Sequence, residues 1–398
     1  MYDVIVIGAG PGGATASRYL AKKGLNVCMI DKDTFPRDKP CGGGFSKSII
    51  DNFPYLKPRT SDFMKGIAKV AVLHSPNRSI VLEGRAEMIV TLRTDFDNVL
   101  FEEAVDAGAV TLTGIRAKTL AVDSNQVSVV LSNGETVRSR VLVGADGVTS
   151  MVARETGLNQ SWPSSSVTAC RVCEVPVSTN EIIERYTHDL KYHFFVNLGG
   201  QPGYGWCFPK RETINVGLGI VGTQAQGLPL KFETFTKFLV KKNLLPNAPN
   251  LKGAKGALVP TAGPIKQTVT DRCVLLGDSA GQVSPITGGG ISYAMTAAKY
   301  AAKVISSAVE KERLDSDSLN LYQRLWQSDF GNDFRHQLLA QRIFTGQFTD
   351  LLFLIGSKDK KIQTMVSESM SESSDGDIDV RQLVLRTLMV CLREALHI

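Results

Sequence analysis

The chain begins with a short apolar run, Val4-Ile5-Val6-Ile7, and its apolar period then changes several times. Residues 2–7 are too few and too uniformly apolar for a surface helix, so they predict a buried strand. A glycine-rich turn leads into a helical pattern over 11–23, and a second buried strand follows over 27–30. Together these form a βαβ opening. Arg93 ends a later strand, and Thr94-Asp95 suits the cap of a helix running to about residue 106. Alternating segments then come quickly, at 110–113, 117–122, 127–131 and 136–143, with Asn133-Gly134 as a hairpin turn between the last two. They predict an antiparallel meander (110–143) inside an otherwise βαβ fold. Between 167 and 221, the alternation of 191–197 and 213–220 predicts an antiparallel sheet in a second domain. From Gly288 the period is helical, to about 308 and again over 318–343. Residues 357–380 are polar and read as a linker, and 380–398 read as an amphipathic helix. No internal repeat is visible.

Composition narrows the classes. The 398 residues are 43% hydrophobic and 21% charged, an ordinary globular balance with room for two or three domains. The net charge of +6 is spread along the chain without a long basic block. Such a pattern does not call for nucleic acid; weak attraction to an anionic membrane surface is more in keeping with it. Met1 leads straight into the first strand, and no apolar run reaches the ~18–20 residues of a spanning helix. The expectation is a cytoplasmic protein, with peripheral contact at the cytoplasmic membrane face. Seven dispersed cysteines suit a reducing compartment. Cys170-Arg171-Val172-Cys173 lies in an alternating segment, so its two sulfurs should face opposite sides, and no second pair completes a zinc site. The five histidines show no ligand spacing, so no metal is expected.

The first motif with chemistry is Gly8-Ala9-Gly10-Pro11-Gly12-Gly13, set between strand and helix. Gly8 permits the tight turn, Gly10 lets backbone approach a pyrophosphate, and Gly13 lets helix and strand pack closely. Pro11 suits the first helical turn, and the helix N-terminus offers free N–H groups to phosphates. Asp31 ends the second strand and suits ribose hydroxyls. These residues predict a dinucleotide site. Two later segments bear on which dinucleotide: Ala145-Asp146-Gly147 after the meander, and Gly277-Asp278-Ser279-Ala280 after a strand. Read alone, Asp278 is a helix cap and Asp146-Gly147 a turn.

In order, these segments resemble the D-G and G-D motifs of the p-hydroxybenzoate hydroxylase superfamily, which implies FAD. Narrower segments are Lys39-Pro40-Cys41-Gly42-Gly43-Gly44, Arg93-x-Asp95-Phe96-Asp97, Tyr204-Gly205-Trp206-Cys207-Phe208-Pro209, Asn215-Val216-Gly217-Leu218-Gly219 and Pro285-x-x-Gly288-Gly289-Gly290-Ile291. Together they resemble the geranylgeranyl reductase family over residues 2–310, most closely its archaeal type acting on digeranylgeranylglycerol phospholipids. The resemblance implies an α/β fold: an FAD-binding Rossmann-like domain from 1–60, 91–160 and 265–310, an antiparallel-sheet substrate domain from 61–90 and 161–264, and a helical region over 311–398.

It also implies a site. FAD would be held by Gly8, Gly10, Pro11, Gly12, Gly13, Asp31, Cys41, Gly42, Gly43, Arg93, Ala145, Asp146, Gly147, Gly277, Asp278, Gly288, Gly289, Gly290 and Ile291. Arg93 has an alternative, a salt bridge to Asp95 or Asp97. Tyr204, Trp206 and Phe208 alternate on a strand and so face one side, where with Pro209 they would form an aromatic wall for an apolar chain. Cys41 and Tyr204 are the catalytic candidates; Cys41 is open to roles as proton donor, redox partner or small apolar contact. The implied reaction is reduction of C=C bonds in a prenylated lipid, with NAD(P)H or a ferredoxin-type protein as electron donor. An aromatic hydroxylase of the same fold and a non-catalytic prenyl-binding protein are the rival readings.

Overall fold

The computed structural model describes residues 1–346, 348–371, 386 and 389–390, with backbone only for 367–371. Two eight-stranded sheets organise them. In the first sheet, strand Tyr2–Ile7 lies between Val27–Asp31 and Thr136–Gly144 and runs parallel to both. Its apolar run is continuous because both faces are covered. Val4 and Val6 pack with Leu20 and Met295 from helices Pro11–Lys22 and Ile291–Glu310. Ile5 and Ile7 pack on the other side with Val127, Val129 and Leu131.

The meander is smaller than its sequence pattern suggests. Strands Ala117–Val122, Val127–Leu131 and Thr136–Gly144 are joined antiparallel. Val110–Thr113 instead pairs in parallel with Val27–Asp31. The helix Arg93–Asp106 carries the chain across and returns it in the same direction, as a crossover must. That helix starts at Arg93, with Leu92 at its cap and no side-chain cap bond. Thr94 and Asp95 therefore sit inside the first turn rather than capping it. Only Leu92 separates the helix from strand Val81–Thr91, which leaves no room for a capping turn.

The second sheet draws its strands, in spatial order, from Lys255–Pro260, Val167–Pro176, Thr213–Val221, Gly203–Pro209, Tyr192–Val196, Met64–His74, Val81–Thr91 and Gly44–Ser46. One face packs on helices Thr179–Tyr186 and Leu228–Lys241. The other face carries Cys170, Val172, Phe194, Trp206 and Phe208. Cys170 and Cys173 fall in different core clusters on opposite faces, both as free thiols. Residues 360–371, part of the segment read as linker, form a helix (Lys360–Ser371) packed on strand Val81–Thr91. Its apolar stripe is narrow, with Ile362 and Val366 four apart and buried among polar neighbours, so local composition hides it. Residues 357–359 end the preceding helix and lead into this one; 372–380 and the amphipathic helix over 380–398 lie outside the described residues, apart from 386, 389 and 390.

Candidate active site

A cavity runs between the two sheets. At one end it meets Pro11, Asp278 and Gly290 of the first sheet's layer; at the other it reaches Phe353 and Val366 of the C-terminal helices. The glycine turn sits at the first end, and each glycine in it has a different steric reason. A Cβ on Gly13 would lie 1.8 Å from the Gly8 carbonyl oxygen, so helix and strand can touch only if residue 13 is glycine. Gly8, at φ +97°, would place a Cβ 2.3 Å from the Ala145 carbonyl oxygen. Gly12 packs against Leu276 and Ala294. Gly10 differs: a Cβ there would meet only Arg37 Nη2, at 3.6 Å. The space before Gly10 is therefore open to a ligand.

Asp31 is buried and accepts the Ala9 N–H at 2.6 Å and the Asp33 N–H at 2.9 Å. It braces the turn, and a carboxylate has capacity for further donors. Asp146 accepts from Ser150 Oγ at 2.5 Å and from the N–H groups of Met151 and Val152, capping the helix Met151–Glu155. Burial pushes its carboxyl up, opposed by these hydrogen bonds. Ala145 locks this segment to the first strand through the Ile7 carbonyl. Gly147 takes φ +82° at the turn. Gly277, at φ +67°, opens the short 3-10 turn that presents Asp278 to the cavity beside Lys39, 3.9 Å away.

Two helices start at this end without a side-chain cap, Pro11–Lys22 after Gly10 and Ile291–Glu310 after Gly290. Their first N–H groups and positive dipole ends are available to an anionic or electron-rich partner. Gly288 and Gly289 fold the preceding loop back on Ser284, and a Cβ on Gly288 would approach the Tyr204 hydroxyl to 3.6 Å. Arg93 takes the alternative open to it in the sequence, a bidentate pair with buried Asp97, both bonds 2.6 Å, while still lining the cavity. Burial opposes both charges, yet the pair holds Arg93 above its usual range and Asp97 below it. Arg37, which the sequence reading passed over, shares Asp97 at 3.0 Å and leaves a buried Nη1 unpaired. Its signal in the sequence was a basic residue between Asp31 and the Pro-Cys-Gly loop. An open glycine cradle, two uncapped helix starts and a surplus guanidinium fit a dinucleotide pyrophosphate.

Cys41 lines the cavity, with the Gly43 N–H 3.4 Å from its sulfur and Arg93 beside it. Gly42 has no room for a Cβ, which would lie 2.8 Å from the Phe208 ring. Gly43, at φ +68°, fits between the Thr91 carbonyl and Lys210 Nζ. Tyr204, Trp206 and Phe208 stand in a row on one face of their strand and line the cavity. Pro209 ends that strand outside the cavity lining, paired with Ile214. The indole of Trp206 lies over Gly217, where a Cβ would come within 2.0 Å of its ring, and donates to Asn215 Oδ1 at 2.7 Å. Asn215 in turn donates to the Cys41 carbonyl at 2.9 Å and to Glu174 Oε1 at 2.7 Å. The buried Lys210 ammonium donates to the same Glu174 oxygen. Asn215, Glu174 and Lys210 thus join the cysteine loop to the aromatic wall. Asn215 opens one of the sequence segments noted above, whereas only polarity within an otherwise apolar sheet hinted at Glu174 and Lys210.

Fold and cradle together define an FAD-dependent flavoprotein. A family model described as an FAD binding domain matches residues 1–325. The chain is 31% identical to a digeranylgeranylglycerophospholipid reductase of Methanocaldococcus jannaschii, covering 98% of this chain and 95% of the relative. It is 32% identical to digeranylgeranylglycerophospholipid reductase 1 of Methanococcoides burtonii, covering 86% of this chain and 84% of the relative. A solved structure of a geranylgeranyl bacteriochlorophyll reductase-like protein from Thermoplasma acidophilum superimposes with a TM-score of 0.77 at 25% identity, over 97% of this chain and 95% of that one. The chain belongs to the digeranylgeranylglycerophospholipid reductase family of FAD-dependent oxidoreductases.

Proposed function

We propose that this protein saturates the C=C bonds of geranylgeranyl chains in digeranylgeranylglycerol phospholipids, a step in making isoprenoid membrane lipids. The observation that carries this reading is the cavity itself. Its lining joins Pro11 of the glycine turn, the Tyr204–Trp206–Phe208 row, and Phe353 and Val366 of the C-terminal helices. A long hydrocarbon chain is the partner such a lining favours, at about 25 cal/mol per Å² of apolar surface removed from water.

Bound FAD, when reduced, supplies the hydride for one alkene carbon. The residues that would hold it are the Gly8–Gly13 turn, Asp31, Arg37, Asp278 and the Gly288–Ile291 loop. The chain's own task is then to place the alkene, exclude water and deliver a proton to the other carbon. The row of rings excludes water and offers π-faces to positive charge developing on the more substituted carbon. Of the two candidate donors, Tyr204 already commits its O–H to the Thr287 carbonyl. The Cys41 sulfur holds the better-placed proton. Once that proton leaves, the Gly43 N–H and the Arg93 guanidinium face the resulting thiolate. One dinucleotide fingerprint is present in the sequence, so the reductant, NAD(P)H or a ferredoxin-type protein, reaches the flavin transiently. The lipid substrate places the work at the cytoplasmic membrane face.

The test is anaerobic. The flavin is reduced with dithionite, digeranylgeranylglycerol phospholipid is added, and flavin reoxidation and lipid mass are followed together. The expected result is reoxidation with a gain of two mass units per alkene. Reoxidation without that gain would refute the reading. Cys41→Ala is expected to slow the lipid-dependent reoxidation at least ~100-fold, the scale of a positioned proton donor.

A further inference from the structure

Helices Asn332–Phe344 and Thr349–Ser357 each have two unlike faces. The inner faces close the far part of the cavity with Gln341, Phe344 and Phe353. The outer faces are apolar where a solvent-facing helix is normally polar. Leu339, Ile343, Phe348, Leu351 and Leu354 are 52, 38, 73, 51 and 46% exposed. On the first helix, Arg335, Leu339, Arg342 and Ile343 follow the spacing of one helical stripe, and all four are exposed. On the second, Leu351 and Leu354 do the same, and Lys358 follows at its C-cap.

Charge on this ridge has one sign. From 332 to 361 the exposed charged side chains are Arg335, Arg342, Lys358, Lys360 and Lys361. The three acids of the stretch are withdrawn: Asp333 and Asp359 are buried, and Asp350 is half-buried and accepts the Asn77 N–H. Apolar side chains flanked by cations on one helix face suit the interface of an anionic bilayer, where acyl boundary and phosphate headgroups lie side by side. Among the described residues no helix is long and apolar enough to cross a membrane, so any contact made by this ridge is interfacial.

We infer that the 332–361 ridge is the surface on which this protein rests on an anionic phospholipid bilayer, and that it does so because the opposite faces of the same two helices line the cavity. This inference rests on the lipid-reductase reading. It adds where the bilayer sits: against the two helices whose inner side chains Phe344 and Phe353 line the cavity.

The experiment is vesicle flotation of the full chain, on phosphatidylcholine alone and on phosphatidylcholine with one quarter phosphatidylglycerol. The wild type is expected on the anionic vesicles and to be released by salt. Two double variants are each expected to lower partitioning at least ~10-fold: Phe348→Glu/Leu351→Glu by removing apolar contact and adding negative charge, and Arg342→Glu/Lys360→Glu by reversing the attraction to anionic headgroups. Leu230→Glu, at an exposed leucine on a helix far along the chain, is expected to bind as wild type. All are expected to keep wild-type thermal melts and to reduce detergent-dispersed lipid at the wild-type rate. The charge-reversal variant touches only exposed side chains, so it remains informative if the apolar one misfolds. The inference is overturned if the wild type ignores anionic vesicles, or if both double variants bind them unchanged. It is also overturned if the variants change only the oligomer mass in solution, which would make the ridge a contact with a second copy. Failure of the reductase reading would show separately, as no reduction of detergent-dispersed lipid by the wild type.

Discussion

At the cradle end of the cavity the chain presents backbone: Gly10 leaves space open to a partner, while Gly8 and Gly13 let the turn pack closely. At the wall end it presents rings: Tyr204, Trp206 and Phe208 add side chains, and glycines on the neighbouring strand make way for them. Gly217 lies under the Trp206 indole just as Gly8 lies under the Ala145 carbonyl. The same residue type thus does different work. At the cradle, a glycine is required at position 13 by the Gly8 carbonyl, five residues back in the same turn. At the wall, it is required by a ring from another strand. A local constraint leaves a short motif, whereas a constraint across a sheet leaves glycines that look merely permissive.

The largest effect that would sharpen this contrast is expected from two single-methyl changes. Gly13→Ala, aimed 1.8 Å from the Gly8 oxygen, is expected to destabilise the protein by about 3 kcal/mol or more in urea unfolding and to abolish flavin retention. Gly10→Ala meets only Arg37 at 3.6 Å, so stability should stay near wild type while FAD affinity, read by flavin fluorescence, falls about tenfold or more. Equal destabilisation by both would mean that the open space before Gly10 is not a ligand cradle.

At the wall, Trp206→Ala removes a ring that is 6% exposed and is expected to cost about 3 kcal/mol, the lower end for a buried aromatic. FAD binding should persist and prenyl-lipid binding should weaken. Loss of FAD with retained lipid binding would reverse the roles assigned to the two ends.

Asn215→Leu is next in size. It strips partners from the Trp206 N–H, the Cys41 carbonyl and Glu174, and is expected to cost about 2 kcal/mol. Because Asn215 acts through the cysteine loop, the flavin absorption spectrum and the alkylation rate of Cys41 should both change. Asn215→Asp keeps the acceptor for Trp206 but sets a buried carboxylate against Glu174 and the Cys41 carbonyl, so it should restore none of that stability. An unchanged spectrum and alkylation rate would leave Asn215 a purely structural residue.

An effect absent at neutral pH concerns the back of the second sheet, away from both ends. His74 Nε2 and His193 Nδ1 lie 3.0 Å apart, stacked with Phe195. Burial holds His74 down at about 4 and His193 at about 3. The unfolded chain takes up these protons near pH 6.5, whereas the folded chain does not. Stability is therefore full above about pH 6.5 and is lost as pH falls toward 4, by roughly 2 kcal/mol per histidine at pH 5. His74→Phe/His193→Phe should flatten that slope in urea titrations at pH 7 and pH 5. An unaltered slope would assign the acid sensitivity to other groups.

The chain by itself determined the βαβ opening, the strand limits from 110 to 144, the cradle glycines and the direction in which Tyr204, Trp206 and Phe208 face. Each follows from neighbours a few residues apart: a two-residue period, a 3.6-residue period, or a turn that only glycine permits. Tertiary structure decided the rest. It drew Val110–Thr113 out of the meander into the parallel sheet, because its partner Val27–Asp31 lies some eighty residues earlier. It gave Arg93 and Arg37 the same carboxylate, and bound Cys41 to Trp206 through Asn215, 174 residues further along the chain. It also turned part of a polar segment, 360–371, into a helix that closes the cavity, on the strength of two buried side chains, Ile362 and Val366. Polar side chains are read as surface unless their partners are known, and partners that far apart meet only when the fold brings them together.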